Sequence, residues 1–173
     1  MKKIIIVMMS IFVLSACNFS VNDDNEKEAL QLQVTQLDQE SGLTVDNSEI
    51  YQELNLLVND NPEWGEANDF SVQTVNTLNE GQESAQLMML AINRLGESIK
   101  NVSFNFSLGN TSGDMVWENE PVFIDENTAG VLHNDSSLPV LLPVSPEQTH
   151  LLNTLNQENV VMDFSEFSYE VVE

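Results

Sequence analysis

The run Val102-Ser103-Phe104-Asn105-Phe106-Ser107-Leu108 constrains this chain more than any other. Four large apolar side chains alternate with small polar ones, so an extended backbone places the first set on one face and the second on the other. That is a strand with one buried face, and it needs a sheet around it and a second layer against it. The segments on either side read the same way. Phe70–Leu78 is a reasonable strand, and Leu87-Met88-Met89-Leu90-Ala91-Ile92 is a nearly continuous apolar run that fits a strand covered on both sides. Asn93–Ser98 is a turn, with Gly96 available for positive φ, and Gly109–Asp114 is another. Met115–Glu118 and Val122–Ile124 read as short strands interrupted by Pro121, which argues for an edge or a bulge. Gly130–His133 and Val140–Leu142 add two short apolar pieces. In Val160–Val172, Met162 and Phe164 have one parity and Phe167, Tyr169 and Val171 the other, so a bulge belongs near Ser165 or Glu166.

Two helices are expected beside these strands. Asp46 and Glu49 have capping-box spacing ahead of Ile50, Tyr51, Leu54, Leu57 and Val58, which predicts a helix over 47–58 that stops before Pro62. Ser145 at a cap, Pro146 at the first position and Gln148 at the third predict a second helix near 146–158, with Leu151, Leu152 and Leu155 as its buried stripe. Residues 46–173 therefore read as one mainly β domain, an antiparallel β-sandwich with one or two short helices. Residues 17–45 are polar and carry no aromatic after Phe19. Leu30, Val34 and Leu37 have helical spacing but no flanking caps, and the segment reads as a flexible stalk.

Met1–Ala16 has the composition of a signal segment: Lys2 and Lys3 precede an apolar core, Ile4–Leu14, of about 11 residues. That core is far short of the roughly 20 residues a spanning helix needs. It ends in Leu14-Ser15-Ala16-Cys17, and Cys17 is the single cysteine of the chain. These four residues resemble the lipobox of bacterial lipoproteins. The resemblance covers residues 1–17 and implies diacylglyceryl transfer to the Cys17 thiol, cleavage before Cys17 and acylation of the new amine. It implies a lipid-anchored protein on the extracytoplasmic face of a cell membrane. Each buried methylene of such a chain contributes about 0.8 kcal/mol, so two or three chains hold a protein without basic residues. Ser10–Ala16 also resembles the short apolar peptide pheromones released from lipoprotein signals.

Basic residues are scarce in any case. Removal of residues 1–16 leaves Lys27, Arg94 and Lys100 against 28 acids, a side-chain charge of −25. Such a field repels phosphate backbones and anionic headgroups, which excludes nucleic acid as a partner.

The segment Leu90-Ala91-Ile92-Asn93-Arg94-Leu95-Gly96-Glu97-Ser98-Ile99-Lys100-Asn101-Val102-Ser103-Phe104 resembles the strand-turn-strand of immunoglobulin-like modules on bacterial envelope proteins. There a strand ends in Asn, a turn containing Gly follows, and an Ile-Lys-Asn-Val run opens the next strand. The resemblance implies an immunoglobulin-like sandwich and a single-membrane host. The stretch 139–146 and the helix after it depart from that pattern.

No sequence motif marks a reaction or a cofactor. His133 and His150 are the near-neutral bases. His133 stands beside Asp135, Ser136 and Ser137, without the G-x-S-x-G elbow of a nucleophilic serine; His150 is expected to be partly buried in its helix. Asn59–Glu66 has the composition of a calcium loop, but Pro62 breaks the spacing. Asp125, Glu126 and Asp135 can hold calcium only if folding gathers them. Glu118, Glu120 and Asp125 are the nearest approach to paired carboxylates. Trp64, Trp117 and Tyr51 can form an aromatic platform for a glycan or protein, although Trp117, beside Val116 in a strand, is expected in the core. The reading is a non-enzymatic binding module with an envelope protein or glycan as partner. A calcium-binding surface domain and an envelope hydrolase are the alternatives.

Overall fold

The structure, a computed structural model, describes residues 28–78 and 85–172. In chain order its elements are β1 (Gln31–Leu32), α1 (Gln36–Glu40), α2 (Glu49–Asp60), β2 (Phe70–Leu78), β3 (Gln86–Asn93), β4 (Ile99–Asn110), β5 (Met115–Ile124), α3 (Glu126–Ala129), β6 (Ser136–Pro143), α4 (Pro146–Leu152) and β7 (Val160–Val171). Of the described residues 45% are strand and 20% helix, so the chain is mainly β, and the strands form two sheets with no closed barrel among the described residues. One sheet has the order β1-β6-β3-β2 and the other β5-β4-β7. Every pairing is antiparallel except β1 with β6, which is parallel.

The alternation in β4 does what its period requires. Val102, Phe104, Phe106 and Leu108 are buried and meet Phe70, Val72, Leu87, Met89 and Ala91 of the other sheet in one core. The opposite face of β3 carries Met88, Leu90 and Ile92, and these pack against Leu30 and the buried stripe Tyr51, Leu54 and Val58 of α2. The apolar run 87–92 is thus covered on both faces, as expected. Pro121 lies in β5, an edge strand, where its missing N–H breaks no ladder. The register of β7 against β4 shifts between Ser165 and Ser168, with Glu166 at φ 54°, so the parity change resolves as a bulge.

Several expectations need correction. The two pieces around Pro121 are one strand, and Gly130–His133 is not a strand: Leu132 makes only an isolated bridge to Ile99, and Gly130 caps α3. Four helices form among the described residues where one or two were expected. The first of the two expected starts at Glu49 with Ser48, not Asp46, as its cap, because Ser48 Oγ accepts from the Tyr51 N–H. The second has the expected capping box, Ser145 with Gln148, but ends at Leu152.

The largest correction concerns the stalk. Residues 28–45 belong to the fold: β1 pairs with β6, Leu30 is 1% exposed, and α1 is capped by Thr35. Arg94 explains much of this docking. Its side chain is 1% exposed and ion-paired to Asp135 at 2.7 Å. Nη1 also donates to the Glu28 carbonyl at 2.5 Å, Nη2 to that of Pro62 at 2.6 Å and Nε to that of Trp64 at 3.1 Å. The guanidinium fork gathers three carbonyls from two backbone segments, and one carboxylate, at the end of β3. Buried Asn93 next to it donates through Nδ2 to the carbonyls of Glu97, Leu132 and His133.

Tyr51 ties α1 to α2. Its hydroxyl donates to Asp38 Oδ2 at 2.6 Å and accepts from the Thr35 N–H at 3.1 Å. Burial, with the Asp38 acceptor next in weight, pushes the phenol above its ordinary value of 10.0. A raised acid constant means the fold holds this proton more tightly than the unfolded chain does. The resulting stability is complete below pH 10 and is lost as pH climbs through the folded-state value. Tyr51→Phe is expected to cost about 1 kcal/mol at neutral pH. It is also expected to flatten the alkaline limb of the stability curve, leaving the parts due to Tyr169, which Glu97 pushes up as acceptor, and to Lys100, which Glu126 pushes up. Urea titrations between pH 7 and 11 check this; an unchanged alkaline limb would count against it.

Candidate functional site

The residues selected from sequence do not converge. Leu14, Ser15, Ala16 and Cys17 lie outside the described residues. His133 is exposed, and its ring faces Ser98 Oγ at 3.3 Å, not Ser136 or Ser137, which are buried. Asp135, the only acid near it in sequence, is committed to Arg94. His150 is exposed in the last turn of α4, contrary to the expected partial burial, because α4 turns Thr149 inward instead.

The calcium candidates are separately employed: Asp125 caps α3, Glu126 pairs with Lys100 at 3.0 Å, and Asp135 holds Arg94. No group of three metal-ligating side chains forms among the described residues. Glu118 and Glu120 are both exposed on β5. Of the aromatic trio, Trp117 is core, as expected, at 6.1 Å from the Phe106 ring, and Tyr51 is buried under α1. Trp64 is half-buried on the α2 side, so the three make no common platform.

The fold supplies a site that no motif announced. β2 ends one sheet and β7 ends the other, and between these two edges runs a groove of about 530 Å³. Its apolar wall comes from Leu87, Leu108, Leu152, Leu155, Val160 and Met162. Its polar lining is made of amides and hydroxyls, among them Gln73, Thr74, Asn76 and Gln157. Among the described residues no charged side chain lines it, in a chain with 28 acids.

Each wall has a local cause. Leu87 and Leu108 are inward positions of the alternating strands. The chain leaves α4 at Leu152, and the turns that follow carry Leu155 over the end of the core before β7 begins. In β7, Val160, Val161 and Met162 remain 42%, 44% and 46% exposed, which for consecutive apolar residues marks an uncovered strip. Another depression lies at the opposite seam, about 370 Å³ between α1, β5 and β6, beside exposed Leu37, Phe123 and Leu141. It includes Asp38, already held by Thr35 and Tyr51.

Comparison with known protein families, with curated proteins and with solved structures finds no match to this chain. No helix among the described residues is long and apolar enough to cross a membrane. The groove therefore rests on geometry alone. Sequence inspection missed it because its residues are ordinary Leu, Val, Asn and Gln from four separate segments; the one available signal was the unbroken Val160-Val161-Met162 in a strand that otherwise alternates.

Proposed function

We propose that this protein is a lipid-anchored, non-enzymatic interaction module of a bacterial cell envelope, held by acyl chains on Cys17 and built on an immunoglobulin-like sandwich. One observation carries the location: Leu14-Ser15-Ala16-Cys17 directly after a short apolar core with two leading lysines. The sandwich reading is supported by two sheets, mostly antiparallel, sharing one core, and by the turn 94–98 that joins β3 of one sheet to β4 of the other. The parallel β1–β6 pair and α2 are additions to such a plan.

Support for binding over catalysis comes from the groove. A neutral, largely aliphatic cleft between two sheet edges offers shape, apolar contact and backbone pairing, whereas the exposed histidines and separately engaged carboxylates offer no acid–base pair.

Cys17→Ser is expected to move the protein from the detergent phase and membrane pellet to the aqueous phase and culture medium. Unchanged partitioning would overturn the anchor. The interaction reading is tested by photo-crosslinking in intact cells from groove and opposite-seam positions; an absence of neighbours from both would overturn it.

A further inference from the structure

The edges of the two sheets differ in how they are protected, and β7 is the one that borders the groove together with β2. β1 is two residues long and β5 carries Pro121, features that discourage further pairing. β7 has neither lysine nor proline over its 12 residues. It pairs with β4 on one side and with no other strand among the described residues. In an antiparallel strand alternate residues turn their N–H and C=O groups outward, so Val161–Ser165 presents unpaired backbone directly beside the groove. The bulge that would blunt this edge comes only after Ser165. An open backbone edge, an apolar cleft under it and exposed Val160 and Met162 at the join are the components of strand addition.

Charge selects among the occupants. The groove lining is neutral among the described residues, but Glu158, Asp163 and Glu166 flank it along the chain and are exposed. A second copy would bring the same carboxylates against these, in a chain of formal net charge −23. The protein's own N-terminal segment is also acidic, with Asp23, Asp24 and Glu26, and it enters the described fold at Glu28, held by Arg94 at the far end of β3. That end lies about 20 Å from Leu87 at a strand rise of about 3.3 Å per residue.

We propose that β7 and the adjoining groove bind an extended peptide segment of another protein, which adds as a strand to Val161–Ser165, buries alternate aliphatic side chains in the groove and sets basic side chains outward against Asp163 and Glu166. The proposal rests on the interaction reading above and adds the class of partner. Main-chain pairing gives affinity, the aliphatic pocket gives register, and the acidic flank rejects acidic strands.

The probe is a capped ten-residue peptide alternating lysine and valine, titrated into the full-length protein at physiological salt and followed by fluorescence anisotropy and by amide chemical shifts. Two analogues accompany it: one N-methylated through its centre, with charge and apolar content intact, and one with glutamate in place of lysine. Binding of the first peptide alone, with shifts at Val161–Ser165 and Leu87, is the expected result. Val160→Lys with Met162→Lys is expected to weaken it about tenfold or more. Phe123→Lys with Leu141→Lys makes the same charge change at the opposite seam and is expected to alter it less than about twofold. Circular dichroism checks that both variants keep their strands.

Equal binding of the N-methylated peptide, equal loss in both lysine variants or no binding at all overturns the proposal. So does a dimer in sedimentation that only the groove variant dissolves, or binding that appears only when residues 18–27 are deleted. The crosslinking experiment separates the two levels. Neighbours captured from Phe123 but not from Val161 leave the interaction reading standing and remove this site. No neighbours from either position, with the peptide bound as described, leaves the site and removes the cellular reading.

Discussion

Arg94→Ala is expected to destabilise the protein by about 3–5 kcal/mol, the range for removing one partner of a buried ion pair. The cost has two parts. Asp135 keeps its charge in a site where its side chain is 18% exposed, with the Asn134 amide left as its neighbour. The carbonyls of Glu28, Pro62 and Trp64 lose the guanidinium together, Pro62 keeping the Leu30 N–H at 3.3 Å, at the junction where the N-terminal segment, the loop after α2 and β3 converge. Arg94→Lys is expected to recover less than half of the loss, because a single ammonium cannot span three carbonyls and a carboxylate from one point. Urea unfolding measures the stability, and hydrogen exchange at Gln31 and Gln33, whose N–H groups donate to Asp135 and Ser137, reports whether β1 lifts away. A loss below about 1 kcal/mol would mean that the fork adds little beyond an ordinary surface pair.

Phe70→Ala is the second large effect, expected at about 3–5 kcal/mol from lost burial and the cavity left behind. Phe70 is fully buried where the two sheets meet. Its ring stacks on Phe167 at 4.7 Å, lies 5.7 Å from Phe104 and meets Phe164 edge-on at 6.2 Å. These contacts run from β2 to β4 and β7, so one truncation loosens the joint between the sheets and the seat of β7 at once. Phe70→Leu is expected to cost less than half as much, since it keeps most of the volume. With an m-value of about 2 kcal/mol/M, the alanine change lowers the urea midpoint by about 2 M. Proteins of this size are stable by about 5–15 kcal/mol, so either alanine variant consumes a large share of that margin.

What the amino-acid order reveals here follows the range of the interactions. β4 and β3 were legible because burial on one face or two writes itself into neighbouring residues, and the β7 bulge because a parity change is local. β1 was not: two residues carry no period, and its partner β6 lies more than a hundred positions away. Leu30 and Val34 looked like isolated aliphatics in a polar tether, although Leu30 packs beneath α2. Arg94 sat in a turn signal, and nothing nearby shows that it is buried; its rarity as one of five basic residues was the only hint. The groove was invisible for a different reason. It is made by the absence of a neighbour beside β7, and an absent neighbour leaves no residue to read. Trp117 was legible through Val116, whereas the catalytic and calcium candidates were chosen by proximity along the chain, which folding did not preserve.

β3 has apolar neighbours on both of its faces, and this joins two clusters that would otherwise be separate layers. Peeling α2 from Met88, Leu90 and Ile92 exposes the back of the strand whose front holds Phe70 and Phe104 in place. Loss of either layer strips cover from the other, so the two are expected to unfold together in one cooperative transition.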